Sequence, residues 1–181
     1  MELLRKDTSA MRRCSIFLVS FFLLANACAS TPSELSTRKP GSQEVLVTGR
    51  VDVLLPGKPL FWVFVVPKEG GTAWDYKVTG DGTFFWYLFP GSYEIPSFQW
   101  KQGELDPGTR TGQAFARFTV PHGKPFVYIG TLTITFFKGG RYGIKVFDDY
   151  DSGGFARLNE KFPGIKKEDV AKSLITLGGR L

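Results

Sequence analysis

The chain has few residues of the types that usually carry out chemistry. It contains two cysteines and one histidine in 181 residues, so a histidine-based triad or a multi-histidine metal site would have to be built around His122. That histidine lies between Pro121 and Pro125 in a turn-like segment, where histidine is usually solvated. No glycine-rich phosphate loop precedes a helical pattern. We therefore expect a protein that is not an enzyme and has no cofactor and no metal.

Charge is also not concentrated in any one stretch. The whole chain has a formal net charge of +6, but beyond residue 27 its lysines and arginines never form a run longer than two. A nucleic-acid-binding protein usually gathers them in a patch or along one helix face. The sequence therefore predicts no nucleic-acid partner.

Only one long apolar run is present, Ile16–Ala25, and it is about half the roughly twenty residues that a membrane-spanning helix needs. A basic stretch precedes the run, and small residues follow it up to Cys28. These are the three parts of a secretory signal. We predict a signal peptide over residues 1–27, with the start at Met1 or Met11.

Cys28 would be the only cysteine of the processed chain, because Cys14 lies in the signal. An exported protein with one cysteine cannot form an intramolecular disulfide. The segment Leu24-Ala-Asn-Ala-Cys28 resembles the bacterial lipobox, although Leu24 lies one position further from the cysteine than is usual. We therefore predict lipid attachment at Cys28. The alternatives are plain cleavage at an Ala-x-Ala site and an uncleaved membrane anchor.

This resemblance implies a location and a class of partner. A lipid on Cys28 would hold the protein in the bacterial cell envelope. Ala29 follows it in place of the aspartate that retains many lipoproteins in the inner membrane, so we expect the outer membrane, on its periplasmic or outer face. Residues 28–43 are rich in Ser, Thr, Pro and Gly and should form a flexible tether. The expected partner is an envelope protein or a polysaccharide.

From residue 44 to residue 181 the sequence predicts one domain that is mainly β. Apolar residues alternate with polar ones at Val45–Val53, and further short apolar stretches are separated by Gly, Pro and Asp turns. The predicted strands after the first are Leu60–Val66, covered on both faces, Thr83–Phe89, which is also too apolar for one face to be solvated, Ser92–Trp100, Ala114–Val120, Phe126–Phe137 and Tyr142–Phe147. A long exposed loop is expected at Lys101–Gln113. Such a series favours an antiparallel β-sandwich, prealbumin-like or immunoglobulin-like.

In the C-terminal part, the sequence predicts one or two short helices. Residues 153–163 follow Asp151 and Ser152, either of which could cap a helix that Pro163 ends. Lys166–Leu177 has apolar residues at helical spacing and would form a second helix packed on the sandwich.

One segment carries a resemblance to a known family. Val78-Thr-Gly-Asp-Gly-Thr-Phe-Phe-Trp-Tyr-Leu-Phe-Pro-Gly-Ser-Tyr93 resembles carboxypeptidase regulatory-like (transthyretin-like, prealbumin-fold) modules, with their Asp-Gly turn, aromatic strand and Pro-Gly-x-Tyr. The resemblance covers about residues 45–100, one third of the chain. It implies a prealbumin-type sandwich and an accessory or binding role, and it names no ligand.

Two groups remain as candidate binding residues. Trp62 and Trp86 lie in apolar strands and are expected in the core, whereas Trp74 and Trp100 border polar loops and could stack on a sugar. The acidic group Asp148, Asp149 and Asp151 lacks the spacing of a calcium loop, so strand-end solvation and helix capping are its simplest interpretation. The preferred function is a non-enzymatic binding or scaffolding module, and the alternative is a carbohydrate-binding accessory module.

Overall fold

The computed structural model describes residues 41–57 and 59–178. The predicted signal peptide, Cys28 and most of the tether lie outside these residues. Ten strands and one α-helix are described: β1 Val45–Leu54, β2 Leu60–Pro67, β3 Trp74–Val78, β4 Thr83–Leu88, β5 Gly91–Lys101, β6 Arg110–Val120, β7 Phe126–Phe136, β8 Tyr142–Phe147, α1 Phe155–Lys161, β9 Val170–Lys172 and β10 Thr176–Leu177. No helix among them is long and apolar enough to cross a membrane.

The strands form two five-stranded sheets, which confirms the mainly β fold. The first sheet has the order β4-β1-β7-β8, with β9 also paired to β7, and the second has the order β10-β6-β5-β2-β3. Most neighbours are antiparallel, but β1–β7 and β7–β9 are parallel. The main core lies between the sheets, where one row of side chains from each strand is buried. This is the packing expected of a β-sandwich.

The period-two pattern predicted the inward row of β1, where Val45, Val47 and Val51 are buried in the main core. In β4, Trp86 is buried in the main core as expected, together with Phe84, and Phe85 and Tyr87 of the other row pack against a smaller core on the outer face. In β2, by contrast, Phe61 and its alternate neighbours are buried while the other row is only half-buried. The prediction of a strand covered on both faces was therefore too strong there, and Trp62 lies on the outer face instead of in the core.

The turn before β4 shows why the Asp-Gly pair was informative. The Asp81 carboxylate accepts hydrogen bonds from the backbone N–H and the hydroxyl of Thr83, at 2.9 and 2.8 Å. Gly82 has φ +81°, and a Cβ atom there would lie 2.0 Å from the carbonyl oxygen of Val51. Only glycine fits this contact, which ties the turn to β1.

The second predicted helix, Lys166–Leu177, does not form. A single 3₁₀ turn at Lys167–Asp169 leads into β9 and β10. In the part of the chain that the structure describes, β8 pairs only with Thr131–Phe136 of β7, so the backbone of β7 before residue 131 needs another partner. Val170–Lys172 supplies it by parallel pairing, and the Ser173 and Ile175 amides continue it by donating to β7 carbonyls, each at 2.9 Å. The apolar side chains of the segment alternate between two cores and do not share one helix face.

Three smaller differences concern the other segments. α1 begins after Gly154, and neither Asp151 nor Ser152 caps it. β6 begins at Arg110, so the predicted loop Lys101–Gln113 is shorter than expected. β3 lies in a region for which the sequence predicted no strand, because its alternating pattern is only five residues long.

Candidate functional site

The two tryptophans proposed for sugar stacking lie in different places. The Trp100 side chain is 8% exposed and packs on Phe136 with ring centroids 4.8 Å apart. Trp74 packs edge-on against Tyr93 at 6.0 Å. The two residues flank β2 from opposite sides, opposite Phe61 and Val65, which are about 13 Å apart along the strand. The structure therefore does not join the rings into one exposed surface.

Each of the three aspartates of the acidic group forms an ion pair with a different basic residue. Carboxylate oxygens of Asp148, Asp149 and Asp151 lie 2.6, 2.6 and 2.7 Å from the nitrogens of Lys172, Arg157 and Lys167. Among the described residues, no group of three His, Cys, Asp or Glu side chains is placed to hold a metal ion. His122 is exposed in its loop, beside Lys124 and the first residues of the domain.

The outer face of the first sheet is divided into a covered half and an open half. The covered half lies under the segment that follows β8. There Leu158 of α1 and Tyr150 pack on Leu46 and Tyr128 of the sheet, and all four side chains are buried. Gly154 permits this approach, because a Cβ atom at that position would lie 2.7 Å from the Tyr128 ring. The segment ends before the other half of the face is covered.

The open half forms a groove of about 660 Å³ across β1, β7 and β8, which we call the threonine groove. Its floor is the row Thr131, Thr133 and Thr135, the polar row predicted for β7. The complete lining is Asp52, Leu54, Thr131, Thr133, Thr135, Phe137, Gly143, Ile144, Lys145, Phe147 and Asp149. The groove therefore combines hydroxyl groups on its floor with apolar and charged side chains around it.

Apolar exposure is unusually high around this groove. Leu54, Phe137 and Phe147 are 51%, 55% and 49% exposed, and all three line it. Lys145 has no ion pair within the described part of the chain, whereas Asp52 contacts Arg50 at 3.5 Å. Clustered exposed apolar side chains beside polar groups are typical of binding surfaces.

Asp149 closes the groove where the open half meets the covered half. Its carboxylate accepts hydrogen bonds from the Tyr128 hydroxyl, the Thr131 hydroxyl at 2.8 Å and the Arg157 guanidinium at 2.6 Å. Partial burial acts to raise the pKa of Asp149, but these three hydrogen bonds outweigh it and hold the pKa below its usual value. Burial and the bond to Asp149 raise the pKa of Tyr128. Asp149 thus fastens the covering segment to the sheet as a carboxylate.

We expect Asp149→Asn to lower the free energy of unfolding by about 1–3 kcal/mol at pH 7, because an amide cannot replace the charged acceptor. The folded-state pKa is depressed, so this contribution is present above the ordinary carboxyl pKa of about 4 and is lost as the pH falls below it. The difference in free energy of unfolding between wild type and Asp149→Asn should therefore be smaller at pH 3 than at pH 7. Urea unfolding at both pH values measures it.

Glu160→Gln is the control, because Glu160 is exposed on α1. It should change stability by no more than about 0.5 kcal/mol at either pH. A wild type and an Asp149→Asn variant with equal stability at pH 7 would contradict the role given to Asp149.

Comparison of the chain with protein-family models, curated proteins and solved structures gives no significant match. The resemblance of residues 78–93 to carboxypeptidase regulatory-like modules therefore stays a prediction. The threonine groove was not predicted as a site. In the sequence, Thr131, Thr133 and Thr135 alternate with apolar residues. This pattern indicated that their side chains face away from the core, but not that they line a groove.

Proposed function

We propose that this protein is a lipid-anchored component of the bacterial cell envelope whose sandwich is a non-enzymatic binding or scaffolding module. The partner binds in the threonine groove. The single observation that carries the binding role is the convergence of Leu54, Phe137 and Phe147 on this groove. Covering apolar surface of this kind with a partner is favourable, by about 25 cal/mol for each Å² removed from water.

The chemistry of the groove favours an extended segment of an envelope protein as the partner. The Thr133 and Thr135 hydroxyls can donate and accept hydrogen bonds, as the main chain of an extended peptide requires, whereas the Thr131 hydroxyl donates to Asp149. Lys145 offers an ammonium group for an acidic side chain. β8 borders the groove and, within the described residues, pairs only with β7, so the groove lies beside an open strand edge. An added strand would use both features.

The anchor rests on the sequence around Cys28. A lipid there, followed by a tether, would leave the domain free to reach partners near the membrane surface. The carbohydrate-binding alternative depended on Trp74 and Trp100 acting together. Since Trp100 is buried and the two residues lie apart, no observation favours it over the threonine groove.

Site-specific photo-crosslinking in cells tests the groove. The photoreactive residue benzoylphenylalanine replaces Phe147, which is 49% exposed in the groove, or Phe115, which is 45% exposed on the second sheet. The two positions match in residue type and exposure and differ in their sheet. We expect a discrete adduct with an envelope protein from position 147 and none from position 115.

Adding Lys145→Glu to the position 147 probe should weaken the adduct at least severalfold, because it reverses the charge beside the probe. Identical adducts from positions 115 and 147, or no adduct from position 147, would contradict the proposal.

A further inference from the structure

The end strand of the second sheet has an open edge. β3 pairs with β2 through five consecutive residue pairs, from Phe61–Val78 to Val65–Trp74. Within the described residues, no other strand pairs with β3, and no backbone hydrogen bond links it to a loop. An edge of this kind presents unpaired N–H and C=O groups to any strand that can lie beside it.

The side chains of β3 are arranged symmetrically about its centre. Tyr76 is buried, and Trp74 and Val78 point to the same inner face and pack on the main core. Asp75 and Lys77 therefore point to the outer face. Neither of them forms an ion pair with a described residue, although each is charged and lies one position from the strand centre. From Trp74 to Val78, the side chains of β3 are thus apolar, acidic, aromatic, basic and apolar in turn.

We propose that this edge binds the same edge of a second copy of the chain, antiparallel and centred on Tyr76. Asp75 of each copy then lies opposite Lys77 of the other, so the two-fold axis generates two ion pairs on the outer face. On the inner face, Trp74 lies opposite Val78 of the second copy. Directly opposed residues in an antiparallel pair have Cβ atoms about 4.5–5.5 Å apart, close enough for both kinds of contact.

The charges select this register over its neighbours. If the pair were centred on Asp75, two carboxylates would face each other, and if it were centred on Lys77, two ammonium groups would. Opposed like charges destabilise a strand pair. A lysine alone on an edge strand usually prevents pairing. With Asp75 two residues away, the same lysine permits one antiparallel pairing, and the result is a continuous sheet of ten strands.

The proposal also accounts for the outer face beside the edge. Trp62 and Phe64 of β2 lie opposite Lys77 and Asp75 of β3, and both rings are half-buried. A second copy would bring its own pair of charges next to these rings and cover more of their apolar surface. This interface lies in the second sheet and does not involve the threonine groove, so either site can exist without the other.

The test is a charge exchange, measured on the full chain by sedimentation velocity in density-matched detergent. Wild type should show a concentration-dependent dimer. Asp75→Lys and Lys77→Asp should each weaken dimerisation at least tenfold, because each opposes like charges at both ion-pair positions. The double variant Asp75→Lys/Lys77→Asp restores the opposite pairing and should dimerise within about threefold of wild type, provided that circular dichroism shows the same fold for all variants.

Two further samples identify the interface. An equimolar mixture of Asp75→Lys and Lys77→Asp chains should form a heterodimer, because one strand then has two positive and the other two negative charges. Lys101→Glu reverses a charge at the end of β5, away from the edge, and should dimerise as wild type does. A wild type that stays monomeric, or single variants that dimerise as strongly as wild type, would overturn the proposal.

Discussion

Replacing Trp86 with alanine is expected to lower the free energy of unfolding by about 3–5 kcal/mol, the range observed for truncation of a large buried aromatic side chain. The Trp86 side chain is 0% exposed. Its ring stacks on Phe84 at a centroid distance of 3.7 Å and contacts Tyr76 edge-on at 5.5 Å. The substitution would leave a cavity between the two sheets. Among the described residues its indole N–H has no hydrogen-bond partner, so the expected loss comes from packing.

Urea unfolding at neutral pH measures the effect, with two comparison variants. Trp86→Phe retains an aromatic ring on Phe84 and should be less destabilising than alanine. Phe89→Ala, just beyond the end of the same strand, removes a ring that is 56% exposed and should change stability by no more than about 0.5 kcal/mol. A loss below about 1 kcal/mol for Trp86→Ala would show that the inward row of β4 has been misassigned.

Local patterns were sufficient for the two central strands of the first sheet. In β1 and β7, one apolar row faces the core and the other row faces away from it, and the sequence shows this difference as period-two alternation. The Asp81–Gly82 turn was equally local, because its hydrogen bonds to Thr83 lie within three residues. The mainly β fold followed from these features.

The C-terminal segment could not be predicted in this way. Val170, Leu174 and Ile175 have helical spacing, but the backbone of Val170–Lys172 and the amides of Ser173 and Ile175 pair with the part of β7 that β8 leaves open. Which part of β7 stays unpaired depends on its register with β8, and both strands are a long way from the segment in sequence. Tertiary hydrogen bonding therefore overrode a local preference.

The threonine groove could not be predicted from the sequence for a related reason. The sequence shows that Thr131, Thr133 and Thr135 point away from the core, but not how much of the outer face is covered. The extent of cover depends on Asp149, which fastens the segment after β8 by accepting hydrogen bonds from Tyr128 and Arg157. These partners are brought together only by the assembled sheet. Apolar residues such as Phe147 appear in sequence as ordinary strand residues until the open half of the face is seen.

Lipid attachment at Cys28 is the central claim about where this protein acts, and removal of that thiol has an all-or-none expected effect. A thioether bond to lipid needs the sulfur atom, which serine lacks. The chain offers a matched control in Cys14, the only other cysteine, which lies in the predicted signal and would be removed. Cys14→Ser should therefore leave lipidation unchanged.

The most direct measurement is metabolic labelling of cells with radioactive palmitate, followed by isolation of the protein and by detergent phase partition. We expect wild type and Cys14→Ser to carry the label and to enter the detergent-rich phase. Cys28→Ser should carry no label and should stay in the aqueous phase if its signal is still cleaved. Equal labelling of wild type and Cys28→Ser, or no labelling of wild type, would contradict the account.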